Sequence, residues 1–209
     1  FSSVVESSRR LSSSFINSCT SKSRAFFFAP SATMSLFSRI NFISSMIAPY
    51  CIKNPIDFHP LLAEIPQPAE KLWICGDIPD NSKKFVCIVG SRSCTRYGLD
   101  AVDKIISELD PSIYVVSGMA IGIDTAVHTA CLKYGIKTIA FPGSGLDRSV
   151  LYPKSNIPLA EKIVNGGGCI ISEYEHTARS LPWMFIKRNR LMAGISQITI
   201  VVEAQEKSG

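Results

Sequence analysis

The chain has 209 residues, 46% of them hydrophobic and 19% charged, a globular balance that excludes a disordered chain. The net charge of +5 is unevenly placed: residues 1–50 carry five Lys/Arg against one acid, Glu6, while residues 51–209 carry 17 Lys/Arg against 16 Asp/Glu. A broad basic surface is therefore excluded for the folded part, and any anion site must be a local cluster.

Residues 1–50 hold 15 Ser and seven of the eleven Phe, with no sustained periodicity. Basic, Ser-rich and acid-poor, they read as a segment outside the domain. It is either an organelle transit peptide or a mis-extended or fragmentary start, with Met34 and Met46 as candidate true starts. No apolar run reaches the roughly 18 residues of a membrane-spanning helix, and no membrane association is expected. Residues 51–84 are punctuated by proline and read as a lead-in or linker. The seven cysteines (19, 51, 75, 87, 94, 131 and 169) form no C-x-x-C pair, and several fall in apolar runs. They read as buried free thiols of a reducing compartment. The three histidines (59, 128 and 176) are isolated, so no metal site is expected.

From Phe85 an alternation begins. "FVCIVG" (85–90) is a continuous apolar run rich in β-branched residues, which predicts a buried strand. Residues 97–109 carry Leu99, Val102, Ile105, Ile106 and Leu109 at helical spacing. "IYVVSG" (113–118) predicts a second strand, and Asp124 is placed as the N-cap of a helix that ends at Gly135. A third strand is read at 137–143, a helix at 156–165, a strand at 168–173, a helix at 182–194 and a last strand at 197–204. The 85–209 region is thus expected to be a doubly wound α/β domain, Rossmann-like, with a mostly parallel sheet.

Ligands of such sheets bind beyond the carboxyl ends of the strands, near helix N-termini. The segments found there are "GSRS" (90–93), "SGMAIGID" (117–124), "PGSGLD" (142–147), "SEYE" (172–175) and "EAQEKSG" (203–209). Glycines admit an anion close to backbone N–H groups, and Ser91, Ser117 and Ser144 can add hydroxyl donors. "FIKRNR" (185–190) opens a helix with Lys187, Arg188 and Arg190. Taken singly, each feature has a plainer reading as a turn, a cap or a surface charge, and their convergence on one edge carries the anion site. Glu173 and Glu203 are read as loop caps or metal ligands lacking a third partner, and His128 as an exposed or half-buried neighbour of Asp124. Nucleotide fingerprints fail: G-x-G-x-x-G breaks at Arg148, and neither a P-loop nor G-x-S-x-G occurs. No cofactor is expected.

"VGSRSCTRYG", "VSGMAIGIDTAVHTA", "GSGLDRSVLYP", "SEYE", "KRNRLMAGIS" and "IVVEAQEKSG" resemble, in order and spacing, the DNA-processing protein A (DprA/Smf) family. The resemblance covers about residues 55–209. It implies an extended Rossmann fold that binds single-stranded DNA and loads a RecA-type recombinase during natural transformation. It also implies a cytoplasmic, non-enzymatic protein, with a homodimer as a further association; an organelle is the alternative location if residues 1–50 are a transit peptide. Residue by residue, the implied DNA site comprises Gly90, Ser91, Arg92, Ser117, Gly118, Gly143, Ser144, Gly145, Phe185, Lys187, Arg188 and Arg190. Phe185 would stack a base or else anchor its helix in the core. Arg190 would hold phosphate or else pair with Glu173 or Glu203. The family's usual Arg in "G-x-A-R-G-I-D" is Ile121 here, and the domain is expected to be incomplete at its C-terminal end. Two other readings compete: a small Rossmann nucleotide hydrolase of the phosphoribohydrolase kind, lacking that group's catalytic Glu in "PGSGLDRSV", and a mononucleotide-sensing module.

Overall fold

The computed structural model describes residues 50–52, 55–80 and 82–204. The Ser/Phe-rich segment before Tyr50 lies outside the described residues. In chain order the elements are β1 (Tyr50–Ile52), α1 (Leu61–Glu64), β2 (Leu72–Gly76), β3 (Phe85–Val89), α2 (Arg96–Ser107) and β4 (Tyr114–Gly118). There follow α3 (Ile123–Tyr134), β5 (Thr138–Phe141), α4 (Ile157–Asn165), β6 (Cys169–Ser172), α5 (Pro182–Ile195) and β7 (Ile198–Val201). Seven strands form one sheet in the order β1-β2-β6-β5-β4-β3-β7. The strands from β6 to β7 run parallel, while β2 is antiparallel to both β1 and β6. The expected doubly wound α/β fold is present.

Strand periodicity distributes the core. Along β3, Phe85 and Cys87 face a layer that holds Leu191, Met192 and Ile195 of α5. Val86 and Ile88 face Val102 and Ile106 of α2 and Val127 and Ala130 of α3. Further along the sheet, Ala140 and Ile170 meet Ala160 and Ile163 of α4. Each such fully buried aliphatic or aromatic side chain contributes about 1.5–3 kcal/mol. Helix α2 begins where the Thr95 hydroxyl accepts from the Gly98 N–H at 3.3 Å, an ordinary N-cap. At the far end of α3, Gly135 takes φ 71°, a left-handed stop.

Two expectations are corrected here. The stretch read as a lead-in is part of the domain: β2 extends the sheet beside β6, and Phe58, Leu62, Leu72 and Ile74 join the α5-side core. Its prolines interrupt it into short pieces, which hides the apolar residues from any periodic pattern. Asp124 is not an N-cap, because the helix starts at Ile123 after Gly122. Its carboxylate is buried in the first turn and accepts from the Ala120 N–H at 3.3 Å. Strand β7 has β3 as its one partner among the described residues, and Ile198 and Val201 on it are exposed.

The chain steps from β3 through β4 and β5 to β6 in one direction, then crosses back along α5 to place β7 on the other side of β3. This reversal opens a crevice at the carboxyl ends of β3 and its neighbours. Cys75, Cys87, Cys94, Cys131 and Cys169 are free thiols, and burial pushes those of Cys75, Cys87 and Cys131 up to about 12. Among the described residues no helix is long and apolar enough to cross a membrane.

Candidate functional site

The loop after β3 is strapped on both sides. The Ser91 N–H donates to the Glu203 carbonyl at 2.6 Å, and the Ser91 carbonyl accepts from the Ile123 N–H at 3.1 Å. The Glu203 carboxylate accepts from the Thr95 N–H at 2.9 Å, so it secures the start of α2. Glu203 is therefore a loop and helix tie. Ser91 turns its hydroxyl to the Ser93 carbonyl at 3.0 Å. Gly90 leaves no room for a side chain, since a Cβ there would stand 2.7 Å from Ile123 Cγ1. Held this way, Arg92 projects outward, and its guanidinium carbon lies 5.5 Å from the centroid of the Phe185 ring, within cation–π range.

Phe185 is half-buried in the first turns of α5. It rests on the loop after β5, where a Cβ on Gly143 would lie 2.4 Å from its Cδ1. Only glycine permits that approach. Tyr152, from the same loop, meets the Phe185 ring edge-on with centroids 5.6 Å apart. The start of α5 is fixed from below by the Tyr174 hydroxyl, which donates to the Met184 carbonyl at 3.1 Å.

The three cations of α5 go to different places. Lys187 is 42% exposed along its side chain and reaches Glu173 Oε2 at 3.5 Å. Arg190, one turn on, donates from Nη2 to the same oxygen at 2.6 Å. Of the two readings left open for Arg190, the structure selects the partner of Glu173. Arg188, expected to hold phosphate, is only 5% exposed. It belongs to the stripe Met184, Arg188, Leu191, Met192 and Ile195 that α5 turns to the sheet. Its guanidinium shares the space above Gly118 with Asp124: a Cβ on Gly118 would stand 2.2 Å from Asp124 Oδ2 and 2.8 Å from Arg188 Nη1. Burial pulls the arginine's pKa down and pushes the aspartate's up, and each charge opposes the other's shift.

Three further expected donors are interior. The Ser117 hydroxyl donates to the Ile88 carbonyl at 2.7 Å and is fully buried. Ser144, also fully buried, donates to the Gly145 carbonyl and accepts from the Tyr152 N–H. Gly145 gives its N–H to the Ala178 carbonyl at 2.8 Å. These groups shape the loops instead of meeting solvent, because strand ends in a two-sided sheet must satisfy their polar groups internally. His128 is likewise fully buried, against the expectation of partial exposure. Its Nε2 donates to the Gly118 carbonyl at 2.6 Å and its Nδ1 faces the Thr138 hydroxyl at 2.8 Å. Burial lowers its pKa to about 4, so it is a neutral tie between strands.

The outward part of the site is thus Arg92, Lys187 and a set of apolar side chains that composition did not single out. Tyr152 and Trp183 are each 50% exposed and Ile121 is 52% exposed. Lys187 Nζ lies 5.9 Å from the Trp183 ring centroid. The tyrosine could have been found from its place in the loop after β5, and the tryptophan from its position two residues before Phe185. Among the described residues no group of three or more His, Cys, Asp or Glu could hold a metal ion.

Fold and site together define a Rossmann-like protein with a small cationic and aromatic site at the sheet's carboxyl edge, in place of a dinucleotide loop. The family described as DNA recombination-mediator protein A matches residues 50–209, and the chain belongs to that family. It is 45% identical over 124 residues to DNA processing protein DprA of Streptococcus pneumoniae, covering 59% of this chain and 43% of the relative. It is 39% identical over 158 residues to Protein Smf of Synechocystis, covering 73% of this chain and 39% of the relative. The structure of the Streptococcus pneumoniae protein aligns with a TM-score of 0.68 at 34% identity, over 82% of this chain and 59% of that one. DNA processing protein A of Helicobacter pylori, for which a single-stranded DNA binding mode is described, aligns with a TM-score of 0.68 at 28% identity. That alignment covers 78% of this chain and 73% of that one. The chain spans about 39–43% of the length of the first two relatives.

Proposed function

We propose that this domain binds single-stranded DNA at the Arg92–Phe185–Lys187 edge and acts, without catalysis, in recombination mediation during DNA uptake. On this reading it hands the strand to a RecA-type recombinase in the cytoplasm, with a second copy of the chain as a further partner. The observation that carries it is the Arg92 guanidinium held 5.5 Å from the Phe185 ring centroid beside an accessible Lys187. An exposed cation on an aromatic, at the edge where sheet loops converge, suits a phosphate flanked by bases. The single-stranded DNA binding mode described for the Helicobacter pylori relative supports the same ligand. The balanced charge of residues 51–209 offers no broad surface for duplex, which favours a flexible strand over a rigid one.

The test is fluorescence anisotropy with single- and double-stranded oligonucleotides of equal length at several salt concentrations. Single strands should bind more tightly. Arg92→Ala should weaken binding of every sequence while leaving the melting temperature in place, because the side chain projects from the surface. Equal or tighter binding of duplex would overturn the reading.

A further inference from the structure

Arg92 stands on the span 91–95, and both ends of that span are held by one residue just beyond β7, Glu203. The Glu203 carbonyl accepts from the Ser91 N–H at 2.6 Å. Its carboxylate oxygen Oε2 accepts from the Thr95 N–H at 2.9 Å and from the Thr95 hydroxyl at 3.3 Å. That hydroxyl in turn accepts from the Gly98 N–H and caps α2. The carboxylate therefore also fixes which way the cap hydroxyl points. Removing the side chain would free the Thr95 end of the span and leave the Ser91 end in place, because the carbonyl belongs to the backbone.

Gly98 makes room for this seat. A Cβ there would stand 2.4 Å from Glu203 Oε2, whereas the nearest atom of any other residue, Ile123 Cδ1, would be 3.2 Å away. Helix propensity does not account for a glycine in the first turn of α2, since alanine is favoured there. The carboxylate's seat does account for it, and the amino end of a helix favours a negative charge in that place.

We propose that Glu203 is the positioning residue of Arg92: seated on Thr95, its carboxylate holds the far end of the loop and sets the direction in which the guanidinium meets phosphate. This rests on the single-stranded DNA reading above. Charge alone predicts the opposite effect, because a carboxylate beside the loop repels phosphate. Removing it would then tighten binding, whereas loss of positioning weakens it. The sign of the change separates the two.

The experiment measures Kd by anisotropy for oligo-dT across a salt series, with the full chain and its variants, each checked by circular dichroism. Glu203→Ala should weaken binding about twofold or more, the low end of coupling within one hydrogen-bond network, and by no more than Arg92→Ala does. Glu203→Gln, whose amide oxygen can still accept from Thr95, should recover most of that loss. Gly98→Ala keeps Glu203 but fills its seat. It should weaken binding as Glu203→Ala does, with a melting temperature no lower than that variant's, and it stands in for Glu203→Ala if the latter fails to fold. In an Arg92→Ala background neither change should lower affinity further.

Unchanged or tighter binding by Glu203→Ala and Gly98→Ala would overturn the proposal, as would a Gln variant that recovers none of the loss. So would a loss in the Arg92→Ala background as large as in the unmodified chain, which marks general destabilisation. If the unmodified chain does not bind the single strand, or if Arg92→Ala binds as tightly as it does, the single-stranded DNA reading itself falls, and the role of Glu203 with it.

Discussion

Replacing Arg188 by Ala should lower stability by about 3 kcal/mol, since it strips the opposite charge from Asp124 inside the fold. Urea denaturation would read this as a shift in midpoint, with DNA affinity lost only as far as the fold is lost. The neighbouring Lys187→Ala should do the reverse. It should leave the midpoint nearly unchanged, because Lys187 is partly exposed and meets Glu173 only at 3.5 Å, while Arg190 keeps that carboxylate paired at 2.6 Å, and should flatten the salt dependence of binding by roughly 0.7 in log K against log salt. Position 121 offers a gain. Ile121 is exposed, so an arginine there keeps its head in water and carries no burial cost. Ile121→Arg should tighten single-stranded DNA binding and steepen the same slope by about 0.7 if it engages one more phosphate. A salt titration of the variant beside the unmodified chain checks both signs.

Helix α3 is tied to β4 and β5 through His128, and that tie is sensitive to acid. Burial holds the imidazole's folded pKa at about 4, below the ordinary value of roughly 6.5 in the unfolded chain. The unfolded state therefore binds more protons between these values, so this contribution is complete above about pH 6.5 and is lost as pH falls toward 4. At most it amounts to about 3 kcal/mol. Asp124 on the same helix acts in the opposite direction, because burial raises its carboxyl and the folded state then favours the protonated acid. Comparing melting temperature from pH 7 to 4.5 in the unmodified chain and in His128→Gln isolates the imidazole. The variant should lose less stability on acidification, and identical pH profiles would remove His128 from this role.

Across the whole molecule, charge sets the mode of binding. Residues 51–209 carry nearly equal numbers of acids and bases, and Glu173 further engages two of the cations on α5. Of the cations described at the mouth of the site, Arg92 is exposed and Lys187, though it reaches Glu173, stays 42% exposed along its side chain. If these two neutralise two phosphates of a single strand, log K should fall against log salt with a slope of about −1.4. A slope several times steeper would mean that other basic residues take part in binding, and anisotropy across a salt series decides it.

The alternation of β-branched runs with amphipathic stretches from Phe85 onward determined the class of fold, because a strand buried on both faces and a helix buried on one have different apolar periods. The motif order likewise pointed to the family and to the edge of the sheet where ligands bind. Side-chain direction was the tertiary structure's to decide. Lys187, Arg188 and Arg190 differ little in sequence context, but the turn of α5 aims Arg188 at the sheet and sends the other two to Glu173. The i, i+4, i+7 spacing of Met184, Arg188 and Leu191 already carried that signal, masked by the prior that arginine stays outside. Ser117 and Ser144 were legible as strand-end residues, whereas their inward hydrogen bonds depend on carbonyls supplied by Ile88 and Gly145. The short pieces before Phe85 gave no period at all, and they became part of the domain only because β2 found the free edge of β6. Periodicity is a local property of the chain, but what a charged or polar side chain meets is set by segments distant in sequence.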